Sequence, residues 1–147
     1  MNDTISLDRR LGIIYHSAVN RSIYERSSMK GSLYLEEIVK ILEAQVLLDE
    51  GWLRGKIETI YCSDLMSDIL SFSDSRSLLL TGLINPQIIR TAEMVEIRVI
   101  CFVHNKLPHE DTIELAKQDE IVLLSTKFSM YEACGRLYIA QRASNIT

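Results

Sequence analysis

From Leu33 onward the hydrophobic positions alternate between short continuous runs and stretches spaced for a helix. In "SLYLEEIVKILEAQ", Leu35, Ile38, Val39 and Leu42 fall on one face, which predicts an amphipathic helix. Ser32 precedes it with Glu36 four residues on, one residue longer than a capping box. "VLLDEGWLRGK" predicts a short apolar strand and a glycine-bounded turn, and "KIETIYC" alternates with β-branched residues as one strand. "SDLMSDILSF" predicts a helix capped by Ser63 or Asp64, with Leu65, Met66, Ile69 and Leu70 inward.

Three repeats of one pattern follow. "SLLLTG", "RVICFV" and "IVLLST" are apolar runs without alternation, and each leads into a helical segment: "NPQIIRTAEMVE", "PHEDTIELAKQDE" and "SMYEACGRLYIA". Strands without alternation are buried on both faces, as in parallel sheets covered by helices. The predicted fold class is therefore α/β: a single domain with a mainly parallel five-stranded sheet flanked by helices. The division expected is an N-terminal extension over 1–32, the domain over 33–140 and a tail over 141–147. The extension has weak patterning that allows a short helix over Arg9–Ile23, and Met29-Lys30-Gly31 resembles a second start site.

Charge and composition narrow the classes. The net charge of −4 offers no basic surface for nucleic acid. No apolar run has membrane-span length, and His16 interrupts the only N-terminal apolar cluster, so neither a membrane partner nor a secretory leader is expected and a cytoplasmic location is. The cysteines (62, 101 and 134) are odd in number and far apart, which signals neither a disulfide framework nor zinc, and Cys62 and Cys101, in or after apolar strand-like runs, read as buried small side chains. No P-loop and no dinucleotide-binding glycine motif is present. His16, His104 and His109 lack metal-ligand spacing, and Asp64 and Asp68 sit where capping explains them. No catalytic residues, metal or cofactor are assigned.

The candidate chemistry lies where the strands end. Asn85-Pro86 is a helix start, since asparagine caps and proline suits the first helical position. The loop before it begins Thr81-Gly82, and Gly82 can take a positive φ or admit a ligand close to the backbone. In open α/β sheets ligands bind beyond the carboxyl ends of the strands. Asp64, Asn105, Lys106, Ser125, Thr126 and Lys127 are expected at that edge. With Thr81, Gly82 and Asn85 they form a candidate site for a phosphate or nucleotide, with Lys106 or Lys127 as counter-charge. A loop that only turns the chain has the same sequence.

The ordered set Leu65-Met66-Ser67-Asp68, Thr81-Gly82, Arg90-Thr91-Ala92-Glu93-Met94, Ser125-Thr126-Lys127 and Ala133-Cys134-Gly135 resembles the DRTGG domain family from about Leu35 to Tyr138. Leu83 stands where the family label has a second glycine, and no Asp-Arg precedes the loop. The resemblance implies a domain similar to the N-terminal domain of HPr kinase/phosphorylase. Such domains occur alone or as regulatory parts, as in CBS-domain inorganic pyrophosphatases and some phosphotransacetylases, and often contribute to dimer contacts. It implies a non-catalytic, ligand-sensing module that forms a homodimer. The alternatives are a phosphotransferase-related enzyme and a pure protein–protein interaction module.

Overall fold

The computed structural model describes residues 31–49, 51–72 and 75–144. The expectations for the extension, including Arg9–Ile23, Met29-Lys30 and His16, lie outside the described residues. In chain order the elements are β1 (Leu33–Tyr34), α1 (Leu35–Ile41), β2 (Gln45–Leu48), β3 (Lys56–Ile57), β4 (Thr59–Cys62), α2 (Met66–Ile69), β5 (Ser77–Thr81), α3 (Pro86–Met94), β6 (Val99–Phe102), α4 (Glu110–Gln118), β7 (Val122–Ser125) and α5 (Met130–Ser144). The main sheet has the order β2-β7-β6-β5-β4. β4 to β7 are parallel, and β2 joins β7 antiparallel. β1 and β3 form a separate two-stranded antiparallel pair.

The continuous apolar runs explain the centre of this sheet. Every residue of β5, β6 and β7 is buried. One core packs α1 and α5 on one face of the sheet through Leu35, Ile38, Leu42, Ala133 and Leu137. The other packs α2, α3 and α4 on the opposite face through Ile69, Ile88, Ile89, Ala92 and Ala116. Three consecutive crossovers thus lie on one side, as right-handed connections between sequential neighbouring strands require. The last connection, β7 to α5, turns to the opposite side. The loops after β6 and β7 therefore leave the sheet in opposite directions.

Several local expectations are revised. "KIETIYC" is two strands, because Ile57 pairs with Leu33 in the small sheet while β4 enters the main one. The first helix starts at Leu35, not after Ser32, and the Glu37 carboxylate accepts from the Tyr34 N–H at 2.8 Å. The helix expected after "SDLMSD" is one turn long and buries only Ile69; Leu65 and Leu70 are 56% and 46% exposed. Neither Ser63 nor Asp64 occupies its cap position, which is Leu65. The final helix runs past residue 140 to Ser144. Its far end is tied to the segments that lead into β1 and β4: Gln141 Nε2 donates to the carbonyls of Gly31 and Glu58 at 3.0 and 2.9 Å. Gly31 has φ +138°, and a Cβ there would collide with the Gln141 carbonyl, so glycine is required.

Candidate functional site

The parallel ladder ends at one edge, and the loops leaving it are bound to each other. Ladder bonds continue one residue past the strands: Ser63 N donates to Leu80 O at 3.1 Å, Val103 N to Thr81 O at 3.0 Å, and Thr126 N to Phe102 O at 2.8 Å. Just beyond this ladder the β4 loop closes into a serine turn, with Leu65 N donating to Ser63 Oγ at 3.0 Å. That turn presents Asp64 to the neighbouring loop.

Asp64 is the organising residue. Its Oδ1 accepts from the Gly82 N–H at 2.6 Å and from the Thr81 hydroxyl at 3.1 Å. Thr81 Oγ1 in turn accepts from the Leu83 N–H at 3.1 Å. From the other side Lys106 Nζ donates to the Gly82 carbonyl at 3.1 Å. A Cβ on Gly82 would meet Lys106 Nζ at 3.3 Å and the two Asp64 carboxylate oxygens at 3.4 and 3.5 Å. Gly82 does not have positive φ. The glycine serves close approach, so that a carboxylate and an ammonium group can flank one peptide unit. Thr81 and the Gly82 N–H, expected to face an anion directly, are engaged by an internal carboxylate.

The crevice between the diverging β6 and β7 loops is closed by the backbone. His104 and Asn105 both take left-handed conformations, with φ of 62° and 57°. This fold-back lets His104 N donate to Phe128 O and Asn105 N to Thr126 O, each at 2.8 Å. Ser125 Oγ donates to Lys106 O at 2.9 Å. Lys106 is thereby held over Gly82 by a loop that is itself fastened to β7. Thr112, buried on α4 and unsuspected from the sequence, donates to Ile84 O at 2.8 Å and fixes the far side of the Gly82 loop.

The predicted site residues therefore divide. Asp64, Thr81, Gly82 and Lys106 come together, with Ser125 behind them as support. Asn85 stands at the N-cap of α3 as expected and is exposed, but its side chain makes no cap bond. Asn105 is exposed beside Lys106 and contributes its backbone. Thr126 points inward: its hydroxyl donates to Leu42 O at 2.7 Å and accepts from Phe128 N at 3.3 Å, a structural pin between α1 and the β7 loop. Lys127 pairs with Glu43 at 3.1 Å, beside the end of α1. Glu43 also faces Arg136, whose guanidinium stacks 4.0 Å from the Phe128 ring centroid. Among the described residues no group of three His, Cys, Asp or Glu is placed to hold a metal ion. No helix among them is long and apolar enough to cross a membrane.

Of the two cysteines expected to be buried, Cys62 departs from expectation and Cys101 does not. Cys101 is buried, and burial pushes its thiol up to about 12. Cys62 is exposed at the end of β4, and its sulfur lies 2.9 Å from that of Cys134 on α5. Seventy-two residues of sequence separate the two, which is why spacing alone could not pair them.

No family model matches the chain, and no curated protein matches it. Among solved structures it is similar to the CBS and DRTGG domains of the regulatory region of Clostridium perfringens pyrophosphatase, a crystal structure complexed with the activator diadenosine tetraphosphate. The TM-score is 0.62 at 14% identity, and the match covers 84% of this chain and 53% of that one. The chain thus spans about half the length of that structure. At this identity the likeness shows the fold: a DRTGG-like α/β architecture.

Proposed function

We propose that this chain is a non-catalytic regulatory module that binds a nucleotide or phosphorylated small molecule at the edge formed by the β4, β5 and β6 loops, and that it acts as a homodimer. The observation that carries the reading is the Asp64–Gly82–Lys106 arrangement. Three loops from three strands place an exposed carboxylate and an exposed ammonium group on either side of one peptide, with no flexible linker between them. Preorganised charges of this kind bind without an added ordering cost. Lys106 suits a phosphate oxygen, and the exposed carboxylate of Asp64 suits hydroxyl or amino donors of a sugar or base. In this reading Thr81 and the Gly82 N–H position Asp64 and do not contact the anion. The similarity to a nucleotide-activated regulatory region supports the ligand class and a regulatory role.

The test is titration of inorganic phosphate, AMP, ADP, ATP and diadenosine tetraphosphate, followed by amide shifts and by melting temperature. Saturable shifts at residues 64, 82–85 and 104–106 are expected, weakened at least tenfold in Lys106→Ala. A ligand at 100 times its Kd adds about 2.7 kcal/mol of stability. If none of the five compounds produces saturable shifts there, the ligand-sensing reading is abandoned.

A second reading, a pure interaction module, is favoured by α5. This helix leaves Tyr131 90%, Tyr138 55% and Ile139 71% exposed, and clustered exposed apolar side chains mark partner surfaces. The same residues support the dimer. Light scattering at tens of micromolar that shows a monomer would remove it. A phosphotransferase-related activity would appear as ATP turnover at high protein concentration, lost on substitution of Asp64 or Lys106.

A further inference from the structure

The two cysteine sulfurs at the open end of β4 form a pair that the ligand site does not use. β4 is the edge strand of the main sheet, and its alternate residues face opposite sides. Tyr61 packs into the core of the α2–α4 face, and Ile60 packs against the α1–α5 core. Cys62, two residues after Ile60, shares that second direction and meets Cys134 on α5. The sulfurs stand 2.9 Å apart, so reaching the roughly 2.05 Å of a disulfide requires under about 1 Å of sulfur movement. Cys62 is exposed and Cys134 half-buried, which lets small oxidants reach the pair; Cys101 is sealed in the core. The Cys62 thiol beside it holds Cys134 below the ordinary thiol range, and the same contact drives Cys62 up. With its thiol held lower, Cys134 is the readier thiolate and so the attacking sulfur.

We propose that Cys62 and Cys134 are a peroxide-sensitive dithiol that closes reversibly into an intramolecular disulfide. The Cys134 thiolate attacks one oxygen of hydrogen peroxide, breaking the O–O bond and releasing hydroxide, which leaves a sulfenic acid. The Cys62 sulfur then attacks the sulfenic sulfur. The S–S bond forms as the S–O bond breaks, and the Cys62 proton leaves with the departing hydroxide as water. The proton that Cys134 gave up to form the thiolate neutralises the released hydroxide, so in total two thiols and one peroxide give one disulfide and two waters, with both sulfurs oxidised and both peroxide oxygens reduced. The bond joins α5 to the strand that runs directly into Ser63 and Asp64.

The experiment treats the full-length reduced protein with stoichiometric hydrogen peroxide and maps peptides without reduction. A Cys62–Cys134 crosslink is expected in the monomeric fraction of a denaturing gel, with Cys101 still a free thiol. Dithiothreitol should reverse it, and the melting temperature should rise on oxidation and return on reduction. In Cys62→Ser, Cys134 should instead accumulate as sulfenic acid captured by dimedone, at a rate at least tenfold above Cys101 in the same sample. Oxidation of wild type to sulfinic acid without a crosslink would overturn the proposal. So would a crosslink found only between chains, or one that engages Cys101. Because wild type carries the decisive readout, a misfolded variant does not rescue the idea.

Discussion

Replacing Asp64 with alanine tests the internal-carboxylate account of the β5 loop. The substitution removes the acceptor of two hydrogen bonds, from the Gly82 N–H at 2.6 Å and the Thr81 hydroxyl at 3.1 Å. Bonds to a charged group contribute about 1.5–3 kcal/mol each when sheltered. Asp64 is exposed, so water replaces part of the lost acceptor and about half that range applies. Thr81 and Gly82 are buried, which limits how well water can substitute. Across the two bonds the expected cost is about 1.5–3 kcal/mol, or about 5–9 °C in Tm at this chain length. Asp64→Asn keeps an acceptor oxygen and loses only the charge, so about half the drop is expected. Hydrogen exchange at Gly82 should accelerate in the alanine variant and much less in the asparagine variant. Phosphate binding should move the opposite way: with the carboxylate gone, the Gly82 N–H is free for an anion beside Lys106, and phosphate should bind the alanine variant more tightly than wild type. A Tm within one degree of wild type, together with unchanged Gly82 exchange, would refute the reasoning.

Thr126→Val should cost about 2–3 kcal/mol by urea denaturation, because it strands the buried Leu42 carbonyl and the Phe128 N–H, whereas Thr126→Ser should cost under about 1 kcal/mol. Phe102→Ala empties a fully buried position in the central strand and should cost about 3–5 kcal/mol in the same assay; a loss below 1 kcal/mol would mean the α2–α4 core is not packed as described. The Cys101 thiol, raised by burial from 9.0 to about 12, stays protonated in the folded state while the unfolded state ionises. Stability linked to it is therefore complete below pH 9 and falls by about 1.4 kcal/mol per pH unit as pH climbs from 9 towards 12. Cys101→Ala should show a shallower alkaline loss than wild type, and parallel profiles would contradict the assignment.

Hydrophobic patterning alone determined the centre of this protein. The runs Ser77–Thr81, Val99–Phe102 and Val122–Ser125 lack alternation because both faces are covered, and that is a local property of sequence. Asn85-Pro86 marked a helix start for an equally local reason, the missing proline N–H. The edge where Asp64, Thr81, Gly82 and Lys106 meet followed from parallel strands ending together. What those side chains do there was a tertiary matter. An Asp at the end of one strand reads as a cap, and nothing within its own loop shows that it reaches a glycine eighteen residues away. Lys127 and Thr126, adjacent to a site residue in sequence, were drawn to α1 by Glu43 and the Leu42 carbonyl, because β7 sends its connection to the opposite face from β6. The Cys62–Cys134 approach depends on α5 lying across the edge strand. Such pairings are set by which face each crossover takes, and that choice is made by packing both layers onto one sheet, not by any residue's neighbours in the chain.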